Sequence, residues 1–506
     1  MSRTQERELK FEFESGEAVE ALVDAASAGA PARVQLLETI YFDTPDFDLR
    51  EGGLSLRVRR AGDQYVQTIK RYVRAGGGTD RWEQAHEVAG PVPQFDEADA
   101  KMLSRVSVIA EKAVLRPVFT VRSERTSWQR SAEGVDVEFA LDRGEIVAGG
   151  NTTSLCELEI ELKQGAPRDL FDVARVLSES ARLRPTAFTK DERGYRLLDE
   201  SWGKPARAKP APLTPRMTPR TAFRAIAHSC VQHFMLNEEV VRLRFDGEAI
   251  HQARIGIRRL RSALSLFAPL VQDTQTALVK ADLKWISDSL GKVRDLDVFE
   301  VRILGARAPD DAPLGFRDLS DHIADLKRQR YGDLVRDLSS ERWRRALLRL
   351  LQWIEAGDWA LRDEVAETAM AFATRRVTQK WQKLSRAGSV VRKLDDEALH
   401  DLRKCGKRLR YATEFFAPLV KGAQGRERAK DFIGALEDLQ NALGRQHDLV
   451  FAADMLTEMA AAASAAKPTL MFAAGHLAGE MRSKLAVRSM AGAQAAARKI
   501  TATAPF

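Results

Sequence analysis

Hydrophobic and polar residues change rhythm once along this chain. Up to about residue 200 they alternate in short runs: LSLRVR at 54–59, VQTIK at 66–70, VDVEFALD at 135–142 and CELEIELK at 156–163, interrupted by Gly, Pro and Asp. A period of two predicts half-buried strands. Beyond residue 220 the segments are long and rich in Ala, Leu, Arg, Glu and Asp, with apolar residues at helical spacing and no convincing strand. Between them lies GKPARAKPAPLTPRMTP, residues 203–219, with five prolines, four basic residues and no acid. Such a stretch cannot propagate a helix or a central strand and reads as a semi-rigid linker. The pattern predicts an α+β multidomain protein: a mostly β domain over 1–202, the linker, and an all-α domain over 220–506.

Composition supports that division and adds a charge contrast. With 44% hydrophobic and 30% charged residues, the 506-residue chain is neither collagen-like nor fully disordered. Residues 1–202 carry 28 Lys+Arg against 36 Asp+Glu, and the remainder 51 against 36. An acidic front can hold divalent cations and a basic back a polyanion. Three cysteines, Cys156, Cys230 and Cys405, with no CxxC pair, indicate neither a disulfide framework nor a structural zinc site. The charged start MSRTQERELK lacks the apolar stretch of a signal peptide, and no apolar run is long enough for a bilayer, so no membrane association and a cytoplasmic location are expected.

The front strands stack like charges on one face. Glu6, Glu8 and Lys10 alternate with Leu9, Phe11 and Phe13. Arg57 and Arg59 oppose Leu54, Leu56 and Val58, and Glu157, Glu159 and Glu161 oppose Leu158, Ile160 and Leu162. Glu138 and Asp142 oppose Val137, Phe139 and Leu141. An ordinary half-exposed sheet explains any one of these strands. Several rows of carboxylates at i, i+2 and i+4 repel one another unless something neutralises them, and a divalent metal does so with hard oxygen ligands. Arg57, Arg59, Lys70 and Lys190 are types that grip phosphate oxygens. A barrel acidic on one wall and basic on the other suits a metal-bound polyphosphate.

These residues also stand in a familiar order. Glu6-Arg7-Glu8-Leu9-Lys10 is an ExExK motif, followed by YFDTP at 41–45, GLSLRVR at 53–59, TIK at 68–70, RWE at 81–83, ERTSW at 124–128 and TKDERGY at 189–195. In that order the front domain resembles the CYTH superfamily of triphosphate tunnel enzymes, most nearly bacterial inorganic triphosphatases. The resemblance implies an antiparallel β-barrel in which Glu6, Glu8, Glu159 and Glu161 ligate Mg²⁺ or Mn²⁺. It implies that Lys10, Arg57, Arg59, Lys70, Arg125 and Lys190 bind phosphates, with Glu83 and Glu138 as lumenal acids. Whether Glu157 replaces one of the ligands, and which group orients the attacking water, stays open. Phosphoryl transfer asks for positioning and charge stabilisation, so no nucleophilic Ser or Cys is required, and no triad is found.

The basic half repeats itself. HQARIGIRRLR at 251–261 recurs as HDLRKCGKRLR at 400–410, and LGKVRDLD at 290–297 as LGRQHDLV at 443–450. A duplicated helical unit is the economical explanation. At 100° per residue, His251, Arg254 and Arg258 share a stripe bordered by Arg261, and the second copy offers His400, Arg403, Lys407 and Arg410. From about residue 220 this half resembles the CHAD domain. That resemblance implies two pseudo-symmetric helical bundles whose bases at these positions bind inorganic polyphosphate, and places polyphosphate granules among the expected locations. Lys407, and His447 in place of Arg294, depart from the first copy, so the halves are expected to bind unequally. Nucleic acid is disfavoured as a partner, because no aromatics interleave with the basic repeats for base stacking.

The reading is therefore an inorganic triphosphatase cleaving tripolyphosphate to phosphate and pyrophosphate, anchored to polyphosphate by its helical half. Two alternatives remain open: a non-catalytic polyphosphate-binding or granule-targeting protein, and an enzyme for an organic triphosphate such as thiamine triphosphate or ATP. Oligomeric state is not legible in the sequence.

Overall fold

The computed structural model describes residues 7–13, 22, 31–72, 81–95, 114–305, 313–362, 366–462, 467–487 and 490–505. Glu6 lies outside these residues.

Alternation resolves into one nine-stranded antiparallel sheet: β1 (Arg7–Glu12), β2 (Arg33–Asp43), β3 (Leu54–Ala61), β4 (Gln64–Tyr72), β5 (Arg81–Val88), β6 (Arg116–Ala132), β7 (Val135–Ala148), β8 (Asn151–Gln164) and a two-residue β9 (Arg184–Pro185). Their order is β5-β4-β3-β2-β6-β7-β8-β1-β9. The sheet curls like a barrel, as expected for the front domain, and among the described residues β5 and β9 are its edges, so the described ladder is not closed. Short helix α1 (Asp48–Glu51) follows the YFDTP turn, where the buried Asp43 carboxylate accepts the backbone N–H groups of Thr44, Leu49 and Arg50.

Two further helices dress the sheet. Helix α2 (Pro167–Ser180) covers the apolar side of β1 and β8, where Phe11, Phe139, Leu158 and Ile160 are buried with its Leu170 and Phe171. Helix α3 (Lys190–Leu198) starts at Thr189, whose hydroxyl accepts the Glu192 N–H, a conventional N-cap. It lies against β6, β7 and β8, with Tyr195 donating to Asp43 at 2.6 Å and packing on Tyr41 and Phe119. A Cβ at Gly194 would come within 2.3 Å of the Phe119 ring, so this close approach requires glycine.

The helical half comprises α4 (Pro219–Leu243), α5 (Gly247–Val271), α6 (Thr276–Phe299), α7 (Phe316–Ser339), α8 (Glu341–Ala356), α9 (Ala369–Ser389), α10 (Asp396–Phe416), α11 (Ala423–Ala462), α12 (Pro468–Ala486) and α13 (Ala491–Ala502). The repeats do not keep separate cores. One cluster runs from Ala211 to Ile500 and includes Phe234, Phe267, Trp353, Tyr411 and Phe432. The proline-rich stretch lies along α4: Asn237 bonds Ala206 through both its amide oxygen and nitrogen, and Ser229 donates to the Lys209 carbonyl. Leu348 and Leu351 of α8 pack against the cluster under α2, joining the two halves directly. Among the described residues no helix is long and apolar enough to cross a membrane.

Candidate functional site

Strand register decides which charged side chains meet. Glu8, Glu161 and Glu138 are directly paired neighbours across β1, β8 and β7. Two residues further in, Lys10 pairs with Glu159, and two further again Glu12 pairs with Glu157 and Glu157 with Asp142. The rows grade from wet to dry. The Glu138 and Glu161 side chains are 34% and 25% exposed, whereas Glu157 and Asp142 are 0% and 1%. On the opposite wall β3 offers Arg57 and Arg59, β4 Lys70, β5 Glu83 and β6 Arg125. Together with Lys190, the first residue of α3, they line one cavity of about 180 Å³.

Each acid is held by specific cations. Glu159 accepts Lys10 at 2.5 Å, Lys190 at 2.8 Å and Arg125 at 2.9 Å. Burial opposes its ionisation, but these three neighbours hold the carboxyl well below its ordinary range. Burial likewise works against Asp142, which Lys190 at 2.8 Å and Arg125 at 2.5 Å keep ionised. Glu157 behaves oppositely: burial raises its pKa despite Lys190 at 2.7 Å and Lys10 at 3.7 Å. Lys10 and Lys190 also lose hydration, yet their carboxylates outweigh that and raise both ammonium pKa values. Glu83 sits 2.6 Å from Lys70 and 3.7 Å from Arg57, and these cations overcome burial to hold it below its usual range.

Arg59 is the exception. Its Nε donates to Thr39 at 3.2 Å, and among the described residues no carboxylate lies within ion-pair reach. Burial, then Arg57 and Arg125, push its pKa down to about 9. A guanidinium is normally charged far above that value, and at this half-buried position Tyr41 and Asp142 offset the two neighbouring arginines only in part.

The fit to a divalent metal can be judged from the donors. Glu8, with a side chain only 7% exposed, and the more open Glu161 and Glu138 present hard oxygens in one row of the cavity wall. Lys163 spans Glu138 and Glu161 at 2.8 and 2.7 Å, a position from which an external cation can displace an ammonium that is 36% exposed. Among the described residues no three acids are already gathered as a metal cage. Glu159, whose oxygens are engaged by three cations, is less available than Glu138. The row therefore offers oxygen donors of the type a divalent cation prefers, without a preformed cage among the described residues.

In the helical half, α5 and α10 pack together and bring the two basic stripes face to face. Arg258 donates to the Tyr411 hydroxyl at 2.9 Å and Arg259 to Glu414 at 3.0 Å, both across that seam. Arg254 bonds the Gly291 carbonyl and Asp295, each at 3.0 Å. The repeated glycine lies beside the repeated arginine in both copies, Gly291 by Arg254 and Gly444 by Arg403. Arg410 pairs with Glu437 at 2.7 Å, and Arg261 is exposed. Lys407 is half-buried, and among the described residues no carboxylate lies within ion-pair reach; burial, then Arg258, Arg403, Arg410 and Arg254, lower it to about 7. His251, lowered to about 4 by burial and by Arg294, and His400, lowered by burial and Lys404, are neutral near pH 7. They can offer hydrogen bonds but not charge. The His447 side chain lies outside the described residues.

Sequence reasoning assigned no role in the site to Asp142, Lys163, Tyr41 or Tyr411. Asp142 was on the charged face by alternation, but its role as the anchor of Arg125 and Lys190 depends on register across three strands.

Residues 4–195 match the CYTH domain family and residues 225–457 the CHAD domain family. An inorganic triphosphatase of Haemophilus influenzae is 27% identical over 163 residues, 32% of this chain and 46% of that protein, so the match spans about half that relative's length. An uncharacterized protein of Mycobacterium tuberculosis is 26% identical over 498 residues, covering 92% of this chain and 90% of its own. Among solved structures, the CHAD domain from the plant Ricinus communis superposes with a TM-score of 0.51 at 29% identity, covering 58% of this chain and 96% of that one.

Proposed function

We propose, for a chain that joins a CYTH domain to a CHAD domain, that the sheet domain is a metal-dependent inorganic triphosphatase and the helical domain a polyphosphate-binding module. The division runs 1–202, a connecting segment 203–219, and 220–506. The observation that carries the hydrolytic reading is Arg59, bonded to Thr39 and with no carboxylate in ion-pair reach among the described residues, set among Arg57 and Arg125 in a cavity whose other wall is carboxylate.

In this reading Lys10, Arg57, Arg59, Lys70, Arg125 and Lys190 hold the phosphoryl oxygens, and Glu8, Glu161 and Glu138 hold Mg²⁺ or Mn²⁺, with Glu6 as a further candidate. The metal supplies charge neutralisation to the polyphosphate and to the leaving pyrophosphate. Arg59 and Arg125 bind the substrate and stabilise charge that spreads over the transferring group. Glu83, kept ionised by Lys70 and Arg57, is a weak proton acceptor and orients those cations instead. Glu157 and Asp142, buried beneath Lys10 and Lys190, fix the lysines rather than ligating metal. Among the described lining residues only Tyr41 and Ala140 offer apolar contact, which favours an inorganic chain over a nucleoside or thiamine triphosphate. The name of the Haemophilus influenzae relative supports the same substrate class.

In the helical domain, Arg254, Arg258, Arg261, Arg403, Lys407 and Arg410, with His251 and His400, form one composite face rather than two separate sites. Polyphosphate is its ligand in this reading.

The deciding assay is phosphate release from tripolyphosphate, pyrophosphate, ATP and thiamine triphosphate with Mg²⁺ or Mn²⁺ and with excess chelator. Tripolyphosphate cleavage that stops with chelator is expected. Full activity in chelator, or release from every substrate alike, would overturn the assignment.

A further inference from the structure

The acids that the cavity wall offers to a metal do not stand bare. Glu138 and Glu161 are directly opposed on β7 and β8, a like-charge pair that destabilises a ladder unless a cation lies between. Lys163 is that cation: its ammonium is 2.8 Å from Glu138 and 2.7 Å from Glu161. The ladder is shaped for it. Strands β7 and β8 shift register between Val137, paired with Leu162, and Asp136, paired with Gln164, so Lys163 is the extra residue of a bulge and has no residue opposite it on β7. A bulge bends its strand and re-aims the side chain it carries.

The other ammonium close to the row is anchored deeper. Lys10 is 3.6 Å from Glu8 but 2.5 Å from Glu159, and its side chain is 12% exposed. Lys163 is 36% exposed, and among the described residues its ion-pair partners are the two acids of the row. A divalent cation seeking those oxygens has to move an ammonium that is tied to the chain beside them. We propose that Lys163 is a built-in competitor for the metal. It neutralises Glu138 and Glu161 in the metal-free protein, and it weakens metal binding by the strength of the pairs that must break. This rests on the proposed use of the row for Mg²⁺ or Mn²⁺.

The competition has signs that a merely structural lysine would not give. Lys163→Met tightens the binding of Mn²⁺, measured without phosphate, by about fivefold, the scale of one partly exposed ion pair. Lys163→Arg keeps the weak affinity of the parent. Lys70→Met removes an equal charge from the opposite wall without uncovering Glu138 or Glu161, and tightens it less. In chelator Lys163→Met melts below the parent, because the two paired acids repel; the deficit closes in saturating Mn²⁺, where the parent's ammonium is displaced as well. The experiment titrates the full-length protein with Mn²⁺ and reads the free ion by electron paramagnetic resonance, which needs no turnover, with melting temperatures taken in chelator and in Mn²⁺. Lys163→Gln takes the place of Lys163→Met if that variant does not fold. Unchanged or weaker Mn²⁺ binding in Lys163→Met, equal tightening in Lys70→Met, or a melting deficit that persists in Mn²⁺ would overturn the inference and leave the proposed function intact. Absence of Mn²⁺ binding by the unsubstituted protein, with tripolyphosphate as well as without it, would overturn both.

Discussion

Replacing Lys407 by Met separates the stability of the helical domain from its affinity for anions. In the unfolded chain this ammonium titrates near its usual value of 10.5; in the folded protein, with Arg254, Arg258, Arg403 and Arg410 around it, near 7. Between those values the unfolded state holds a proton that the folded state does not, so stability rises with pH across this window. The destabilisation is complete below about pH 7 and vanishes above about pH 10.5. At ~1.36 kcal/mol for each pH unit of the drop the ceiling is about 4–5 kcal/mol. Water reaches a half-buried ammonium, so about 1–3 kcal/mol is the working figure. Lys407→Met therefore stabilises the ligand-free protein at pH 6 by that amount, and the gain fades toward pH 10. With long-chain polyphosphate bound the sign reverses, because the anion that would neutralise the cluster loses one contact. Urea unfolding followed by circular dichroism at pH 6, 7.5 and 9, with and without polyphosphate, reads both effects. A variant less stable than the parent at pH 6, or an advantage independent of pH, would refute the argument.

Two further outcomes follow from the same geometry. Glu8→Gln and Glu161→Gln each abolish metal-dependent release of phosphate from tripolyphosphate with little loss of melting temperature, since each removes repulsion from the glutamate row as well as a ligand; a matched collapse of stability in both would give the row a structural role. Reversing Arg254 and Arg258, or Arg403 and Lys407, to Glu weakens polyphosphate binding and flattens its salt dependence by about two counterions, whereas reversing the exposed Arg328 and Arg336 of α7 does neither; equal losses would reduce the seam to general charge.

The strand faces were readable because a period of two is local: Glu8, Lys10, Arg57, Arg59, Glu138, Glu159 and Glu161 all line the cavity that alternation assigns them to. What joins them is not local. That Glu8, Glu161 and Glu138 form one row depends on the pairing of β1 with β8 and β8 with β7. Lys190 reaches the floor only because α3 begins at Thr189 and is drawn against the sheet by Tyr195 and Gly194. In the helical half the duplication was visible in LGKVRDLD and LGRQHDLV, but nothing in either copy says that the stripes meet across α5 and α10. That contact is made by Tyr411 and Glu414, which belong to no repeated pattern. The linker's prolines suggested a spacer, and the side chains that instead lay it along α4, Asn237 and Ser229, lie twenty to thirty residues further on.

The two halves arrange their cations in different ways, and under the proposed function this sets how each would meet phosphate. In the cavity nearly every base already holds an acid: Lys10 and Lys190 on Glu159, Arg125 on Asp142, Lys70 on Glu83. A phosphate chain entering there exchanges one set of ion pairs for another, and the net gain is small except at Arg59, where no acid has to be released. Such a site discriminates by shape and register, since a ligand that cannot reach all the displaced partners leaves buried charges unpaired. At the α5–α10 seam the guanidiniums lean on a tyrosine, backbone carbonyls and a few acids, and Lys407 is left with like charges around it. There an anion relieves repulsion wherever it lands along the face, which favours avidity over register. Under the proposed function, a selective cavity and a permissive seam on one chain would suit a ligand that is held along its length by one half and cut at defined positions by the other.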